Sequence, residues 1–494
     1  MNKKPANHPE WATKFRRAGT ELRLINGRYY LYEFKTVYDS ARKRPRKISG
    51  KILGRITEKE GFMESDKGKL RKQAVTAFQP AVGPTREYGF SQYILDHFQE
   101  YYLEIEKVFP QTWQTVVLLA YCRLLYQSPI KNMPYHIGQS WLYEHWQPGA
   151  MTEKRISLLL RELGRQREKA VSYMKAFIHE GEYLLADTTN ILSKSSHIQL
   201  SKRGYNNKFD FEPQINTMYL YSTQSRMPVF YRLHGGNIKE VKAFRLTLKE
   251  SGIHKAIIIG DKGFYSRENI GALKAEQLEY IIPVKRDNSL LDYSEIKGNT
   301  FKRKGNYFQH EKRFIWHKEI VIAQEGIGTQ QGDKIFLFLD ETLRLKEETD
   351  YLQRIATHPE EYSQDGYLEN RDRFGTIGLI SNVSDKTPDE IYVAYKSRMA
   401  IEEMFDSLKN VVDVDSTYMQ NEDTLQGWMF INHIALQWYQ QIYLLLKDKK
   451  LTGKYSVRDF LILLRDVRQV RINEQWYPTE ITKAVAKLLD KMKI

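Results

Sequence analysis

The chain has 494 residues, more than one typical domain core holds, so we expect two or more packed units. Hydrophobic residues make up 41% of it and charged residues 28%, a balance that excludes an intrinsically disordered chain. The formal net charge of +15 predicts a polyanionic partner, and nucleic acid is the polyanion that fits best. Residues 1–60 hold 16 Lys and Arg against 6 Asp and Glu, so much of this excess lies near the N-terminus.

The single cysteine, Cys122, lies in the apolar run 116–122 (VVLLAYC), where a free thiol behaves as a small core residue. One cysteine forms no disulfide within the chain, which is typical of a reducing cytoplasm. The first residues lack the apolar segment of a signal peptide, and no apolar run approaches the roughly 18 residues of a membrane span. We therefore expect a soluble, cytoplasmic protein with no membrane partner.

The first 180 residues predict two units that could contact DNA. Apolar and polar residues alternate over 21–56 on both sides of the basic turn 42–47 (RKRPRK), which predicts a basic β-hairpin unit within 1–60. Such a turn is often just a solvated loop, and contact with a DNA phosphate backbone is the alternative that the net charge supports. Helical periodicity then predicts a helical domain over 91–180, the second candidate for DNA binding.

The remaining residues predict an α/β core interrupted by an insertion. Strand and helix patterns alternate over 181–286, as expected for the first part of such a core. Residues 287–385 carry alternating runs that predict a β-rich insertion. Helical patterns over 386–446 complete the core, and a C-terminal helical region over 447–494 is a candidate for dimerisation.

Two aspartates lie where predicted buried strands end. Asp187 follows the apolar run that begins at Tyr183, and Asp261 ends the run IIIGD. Aspartates in such positions are commonly turn formers or helix caps. In a mostly parallel sheet, however, ligands gather at the edge where strands end, so the two carboxylates are expected to converge there.

A third carboxylate comes from the stretch 395–409 (YKSRMAIEEMFDSLK), which predicts one helix. At about 100° per residue, Tyr395, Arg398, Glu402 and Lys409 share a stripe about 60° wide that borders the apolar face. A solvated face is expected to lie opposite the apolar residues, so this stripe favours a functional set. The adjacent Glu403 points away from it.

Three converging carboxylates favour a hard cation such as Mg²⁺, which prefers oxygen ligands and is often shared with substrate phosphates. Two such ions can activate a water or a 3′-hydroxyl and stabilise the leaving oxygen of a phosphoryl displacement. Arg398 and Lys409 would then face the phosphates. The sequence carries no His-Glu-x-x-His or Cys/His spacing for zinc and no Walker pattern for a nucleoside triphosphate.

With these residues the sequence resembles the DDE transposases of bacterial insertion sequences, in the branch whose helix reads Tyr-x2-Arg-x3-Glu-x6-Lys. The segments 185–191 (LADTTNI) and 259–266 (IGDKGFYS) are similar to the two aspartate strands of that family. The segments 213–237 and 427–439 are similar to its strand pair and to the apolar helix after the signature. The resemblance covers roughly residues 150–494 and is loose before them.

The resemblance implies an α/β fold: a ribonuclease H-like mixed-sheet catalytic core with a β-rich insertion, preceded by a small β unit and a helical domain and followed by C-terminal helices. It implies that Asp187, Asp261 and Glu402 are the catalytic residues and hold two Mg²⁺ ions, for which Mn²⁺ can substitute. Tyr395, Arg398 and Lys409 are then the DNA-contacting residues.

The resemblance also implies the reaction and the partners. A homodimer in a synaptic complex would bind the terminal inverted repeats, cleave the strands at the element ends and join the 3′-hydroxyls to target DNA. Double-stranded DNA is the expected substrate, with no small-molecule substrate, at the bacterial nucleoid. Two alternatives stay open: a catalytically inactive or host-adopted DNA-binding protein, and a ribonuclease H-like nuclease without strand transfer.

Overall fold

The computed structural model describes residues 8–39, 44–67, 69, 82–204, 212–253, 256–298, 300–302, 306–322, 332–410, 414 and 416–492. The chain divides into two compact units, one formed by Met1–Pro84 with Val470–Tyr477 and the other by Thr85–Gln469 with Pro478–Ile494. No helix in the described ranges has both the length and the apolar character that crossing a bilayer requires.

The first unit contains a four-stranded antiparallel sheet. Its elements in chain order are α1 (Glu10–Thr13), β1 (Thr20–Ile25), β2 (Arg28–Asp39), β3 (Arg44–Thr57) and β4 (Gly61–Glu64). A small core of Ala12, Leu22, Leu31 and Ile56 is buried beneath it. The first eight residues of β3 are exposed, so the paired strands extend beyond this core. In the predicted basic turn, Arg42 and Lys43 lie outside the described residues.

Strand β5 (Val82–Glu87) comes next in the chain, and the helices of the second unit follow it. They are α2 (Gly89–His97), α3 (Gln99–Val108), α4 (Trp113–Tyr126), α5 (Met133–Gln139), α6 (Trp141–Trp146), α7 (Glu153–Arg165) and α8 (Arg167–Lys175). In α4 ten consecutive residues, from Val116 to Leu125, are buried, so this helix is covered on all sides and lies inside the core. Cys122 is fully buried there, as its apolar neighbours predicted.

The central sheet follows. Its elements are β6 (Glu182–Ser193), β7 (Lys202–Arg203), β8 (Pro213–Ser222), β9 (Met227–Gly235), α9 (Glu240–Ser251), β10 (Ala256–Ile259), α10 (Arg267–Ala275) and β11 (Glu279–Val284). The order across the sheet is β9-β8-β6-β10-β11. The first three strands form an antiparallel meander, and β10 and β11 run parallel to β6. This is the strand order of a ribonuclease H-like core, which confirms the expected fold class.

Residues 287–385 extend that same sheet beyond β11. They form α11 (Ser294–Lys297), β12 (Tyr307–His310), β13 (Arg313–Val321), β14 (Lys334–Asp340), α12 (Glu341–Thr357), α13 (Gln364–Asn370) and β15 (Thr376–Ser381). Strand β15 pairs antiparallel with β11, and β14, β13 and β12 follow in that order. The four strands therefore share the core sheet, and the two longer helices stand between β14 and β15 in the chain.

The last elements are α14 (Pro388–Lys396), α15 (Met399–Asn410), β16 (Ser416–Thr417), α16 (Glu422–Asp448), α17 (Val457–Arg465), β17 (Arg468–Ile472), β18 (Gln475–Pro478) and α18 (Lys483–Met492). The C-terminal region is helical at α17 and α18, as expected, and it also contains β17 and β18, which form a three-stranded sheet with β5. Asn473 and Glu474 between them have φ of 48° and 69°. Two successive left-handed residues make the tight turn that joins antiparallel strands and rules out a helix there.

Candidate active site

Asp187 lies in the middle of β6, between β8 on one side and β10 on the other. In the parallel pairing of β6 with β10, Leu185 is opposite Ile259, and Asp187 and Asp261 each follow two residues later. The two aspartates therefore lie side by side, as the strand pattern predicted. Only Asp261 stands at a strand end, however, because β6 continues past Asp187 to Ser193, so the prediction that Asp187 ends its strand is wrong.

The surroundings of Asp187 are unfavourable for a charge. Burial is the largest influence and raises the pKa of Asp187 to about 6. The Thr188 backbone N–H donates to Oδ1 at 2.8 Å, which favours the ionised form and opposes the rise of the pKa. The charges of Asp261 and Glu402 raise the pKa further, whereas Arg398 lowers it. The three carboxyl groups and the guanidinium thus share one electrostatic environment.

Asp261 is held by a short turn at the end of β10. Its Oδ1 accepts a hydrogen bond from the Gly263 backbone N–H at 2.6 Å, at the start of the 3-10 turn Lys262–Phe264. Gly260 allows this turn, because a Cβ there would lie 2.7 Å from the Cβ of Phe264. We assigned no role to Gly260 from the sequence, although a glycine directly before a strand-end aspartate is a signal of close packing.

The stretch 395–409 is not the single helix that its periodicity predicted. Helix α14 ends at Lys396 and α15 begins at Met399. The Ser397 hydroxyl donates to the Ala394 carbonyl at 2.6 Å, and the Arg398 N–H bonds the Tyr395 carbonyl three residues back. A serine that bonds nearby backbone carbonyls competes with the regular helical pattern, which accounts for the break.

Arg398 nevertheless lies between two of the carboxylates. Its Nη2 donates to Glu402 Oε1 at 2.7 Å, and its Nη1 is 3.9 Å from Asp261 Oδ2. The Glu402 and Asp261 side chains are 53% and 33% exposed, so this end of the site is open to solvent and to a ligand. The guanidinium partly neutralises a cluster of negative charge that would otherwise repel itself.

Three further residues of the stretch 395–409 have different surroundings. Tyr395 lies near the cluster: burial raises the pKa of its hydroxyl, Arg398 lowers it, and Asp261 and Glu402 raise it. Lys409 lies on α15, but its side chain is outside the described part of the structure. Glu403 is exposed and lies nearer Tyr221, whose hydroxyl pKa is raised mainly by burial and further by the Glu403 charge. The two neighbouring glutamates therefore face different surroundings, as the helical spacing predicted.

The donor set fits a hard divalent cation, since all three acidic side chains offer carboxylate oxygens. In the described residues, no three His, Cys, Asp or Glu side chains stand close enough together to hold a metal ion. Arg398 occupies the space between Asp261 and Glu402, so closing these ligands around a cation requires this side chain to move.

Three comparisons relate the chain to known proteins. The family model described as transposase DDE domain matches residues 179–438, which is more than half of the chain. The piggyBac transposase, solved as a synaptic complex with hairpin DNA, is 11% identical with a TM-score of 0.38; the match covers 72% of this chain and 70% of that one. The Mos1 transposase paired-end complex is 10% identical with a TM-score of 0.14, covering 33% and 57%. No curated protein matches the sequence.

Proposed function

The chain belongs to the transposase DDE domain family, and we propose that it is a DNA transposase that binds the inverted repeats at the ends of its element. It cleaves strands at those ends and joins the freed 3′-hydroxyls to target DNA. The observation that supports this proposal is that Arg398 lies beside both Asp261 and Glu402, and that these three charges act on the buried Asp187 in a ribonuclease H-like core. A homodimer that pairs two ends, acting on the bacterial nucleoid, completes the proposal.

Family members generally use divalent metal ions. Asp187, Asp261 and Glu402 are the residues that would hold two of them, with Mg²⁺ as the proposed ion and Mn²⁺ as its substitute. When bound, such ions activate the attacking oxygen and stabilise the leaving oxygen of the displaced phosphodiester. Arg398 then turns from the carboxylates to a phosphate oxygen, for which its planar donors are suited. Tyr395 and Lys409 contact the DNA beside it.

The first experiment measures strand cleavage of DNA that carries the element ends, with Mg²⁺ or Mn²⁺. We expect Glu402→Gln and Asp187→Asn each to lower the cleavage rate by roughly 100-fold or more, because a lost ligand removes several kcal/mol of charge stabilisation. Glu403→Gln is the matched control: it makes the same chemical change one residue away, outside the cluster, and is expected to cleave at the wild-type rate. Wild-type cleavage by Glu402→Gln contradicts the assigned site.

A second assay separates the alternatives. Donor DNA that already ends in the correct 3′-hydroxyl is supplied with a target plasmid, and joined product is measured. A transposase yields joined product. A nuclease without strand transfer cleaves the ends but joins none, and a catalytically inactive DNA-binding protein binds the ends without cleaving or joining them. Absence of joined product with active cleavage overturns the strand-transfer part of the proposal.

A further inference from the structure

Helix α9 and its N-cap residue, Lys239, carry four basic side chains that no contact within the described structure neutralises. Lys239, Lys242, Arg245 and Lys249 line one groove, and none forms an ion pair with a described acidic residue. At about 100° per residue they fall within an arc of about 120°. Glu250, the acid of this helix whose side chain the structure describes, is already bonded to Arg167, with 3.1 Å between Oε2 and Nη2, and Arg232 lies 3.5 Å from it. Among the described side chains, the basic arc is therefore without an ion-pair partner.

The groove has a definite shape and composition. It encloses about 730 Å³ between α9 and α10, and Leu246, Leu248, Ala272 and Ala275 supply its apolar lining. Glu268 and Glu276 of α10 stand on the wall opposite the four cations. Ten residues of α9 span about 15 Å, which equals the rise of about four nucleotides along one DNA strand. A single phosphate backbone thus fits the length of the basic wall.

The topology connects this groove to the candidate active site. Strands β6 and β9 run in the same direction, since both pair antiparallel with β8. Asp187 and Tyr231 are both opposite Tyr219, so β9 ends four residues beyond the level of Asp187. Helix α9 begins just after β9, and α10 begins just after the turn of Asp261. Both walls of the groove therefore start at the edge of the sheet where Asp261 lies.

The core face of α9 fixes this arrangement. Phe244 packs edge-on against Phe264, with 5.0 Å between ring centroids, and Phe264 is three residues after Asp261. Phe244 points to the side of the helix opposite the basic arc. The same helix therefore supports the Asp261 turn with one face and presents its basic side chains to the groove with the other.

We propose that the groove between α9 and α10 is a second DNA-binding surface, which holds the phosphate backbone of duplex DNA leading away from the cleavage site. The inference rests on the proposed function in taking DNA as the partner, and it concerns residues outside the catalytic cluster. Contacts of this kind are sequence-independent and depend strongly on salt.

The test measures binding of a random-sequence duplex to the full-length protein by fluorescence anisotropy at several KCl concentrations. The triple variant Lys242→Gln, Arg245→Gln, Lys249→Gln removes three phosphate contacts. We expect its plot of log affinity against log salt to be shallower by about 2 to 3, with weaker binding at low salt. The matched control Lys483→Gln, Lys487→Gln, Lys491→Gln removes three exposed cations of α18 and is expected to keep the wild-type slope.

A second variant has the opposite sign. Glu276→Gln removes a negative charge from the facing wall, so we expect tighter DNA binding, a result that a misfolded protein does not give. The proposal is overturned if the α9 variant keeps the wild-type salt dependence, because the groove would then bind another partner. It is also overturned if the α18 control loses as much DNA affinity as the α9 variant. If the wild type cleaves element ends and the α9 variant binds DNA normally, only this inference is refuted. If the wild type does not bind DNA at all, the proposed function is refuted as well.

Discussion

At the scale of single residues, Asp187 is a buried carboxyl group whose pKa is raised first by burial and then by the charges of Asp261 and Glu402. Its pKa of about 6 lies above the ordinary value of 3.8, so the folded chain binds this proton more tightly than the unfolded chain does. The stabilising contribution is fully present below about pH 3.8 and is lost as the pH rises through about 6. At neutral pH the ionised Asp187 therefore lowers the stability of the fold, an effect that a bound cation would reverse.

This predicts that Asp187→Asn is more stable than the wild type in EDTA at pH 7.5, by on the order of 2 kcal/mol. The difference should shrink towards pH 4, where the wild-type carboxyl group is neutral. Urea unfolding at pH 4.5, 6 and 7.5 measures it. A saturating divalent cation should reverse the order at pH 7.5, since only the wild type keeps all three ligands. A stability difference that does not change with pH would show that folding does not raise the pKa of Asp187.

At the scale of elements, the turn after β10 is set by Gly260 and Phe264. A Cβ at position 260 would lie 2.7 Å from the Phe264 Cβ, closer than real carbon atoms approach. We therefore expect Gly260→Ala to destabilise the protein by about 1–3 kcal/mol and to lower DNA cleavage, because the turn that holds Asp261 must shift. Gly271→Ala on the neighbouring α10 is the matched control. Nothing lies within 4 Å of its added Cβ, and alanine favours a helix, so its stability should be equal or higher.

The elements also show which features the sequence could predict. Buried apolar runs at the right spacing predicted β6 and β10, and the position of Asp187 and Asp261 beside each other follows from parallel strands alone. The break at Ser397 could not be predicted, because two residues interrupt the helical period without changing which face is apolar. Hairpin β17–β18 was missed because a five-residue strand with few apolar residues carries little periodic signal.

At the scale of the whole molecule, the helices before residue 180 and the central sheet share one hydrophobic core. Arg123 on α4 donates to Asn432 Oδ1 on α16 at 2.8 Å and lies over the Trp428 ring. The Tyr173 hydroxyl donates to Gln437 of the same helix at 2.7 Å. From the sequence these segments read as successive units, since long-range contacts leave no periodic pattern. These buried hydrogen bonds connect the helical region to α16. Each stabilises the fold, because breaking it leaves a buried polar group that water cannot reach.

Helices α7 and α16 meet through two glycines that permit backbone contact. A Cβ on Gly427 would lie 1.9 Å from the Leu160 carbonyl oxygen, and one on Gly164 would lie 1.8 Å from that of Asp423. A side chain at either position forces the helices apart. Since both helices line the same core, separating them should loosen residues far from the glycine itself.

We therefore predict that Gly427→Ala destabilises the second unit by about 1–3 kcal/mol or more. The only cysteine, Cys122, is fully buried on α4 and offers a direct measurement: a thiol reagent can modify it only when the core opens. Labelling of Cys122 under native conditions should be at least several-fold faster in Gly427→Ala than in the wild type. Gly138→Ala, whose added Cβ meets nothing within 4 Å, should label at the wild-type rate. If Gly427→Ala lowers stability without faster labelling, α4 and α16 open independently, and the helical region is a separate folding unit.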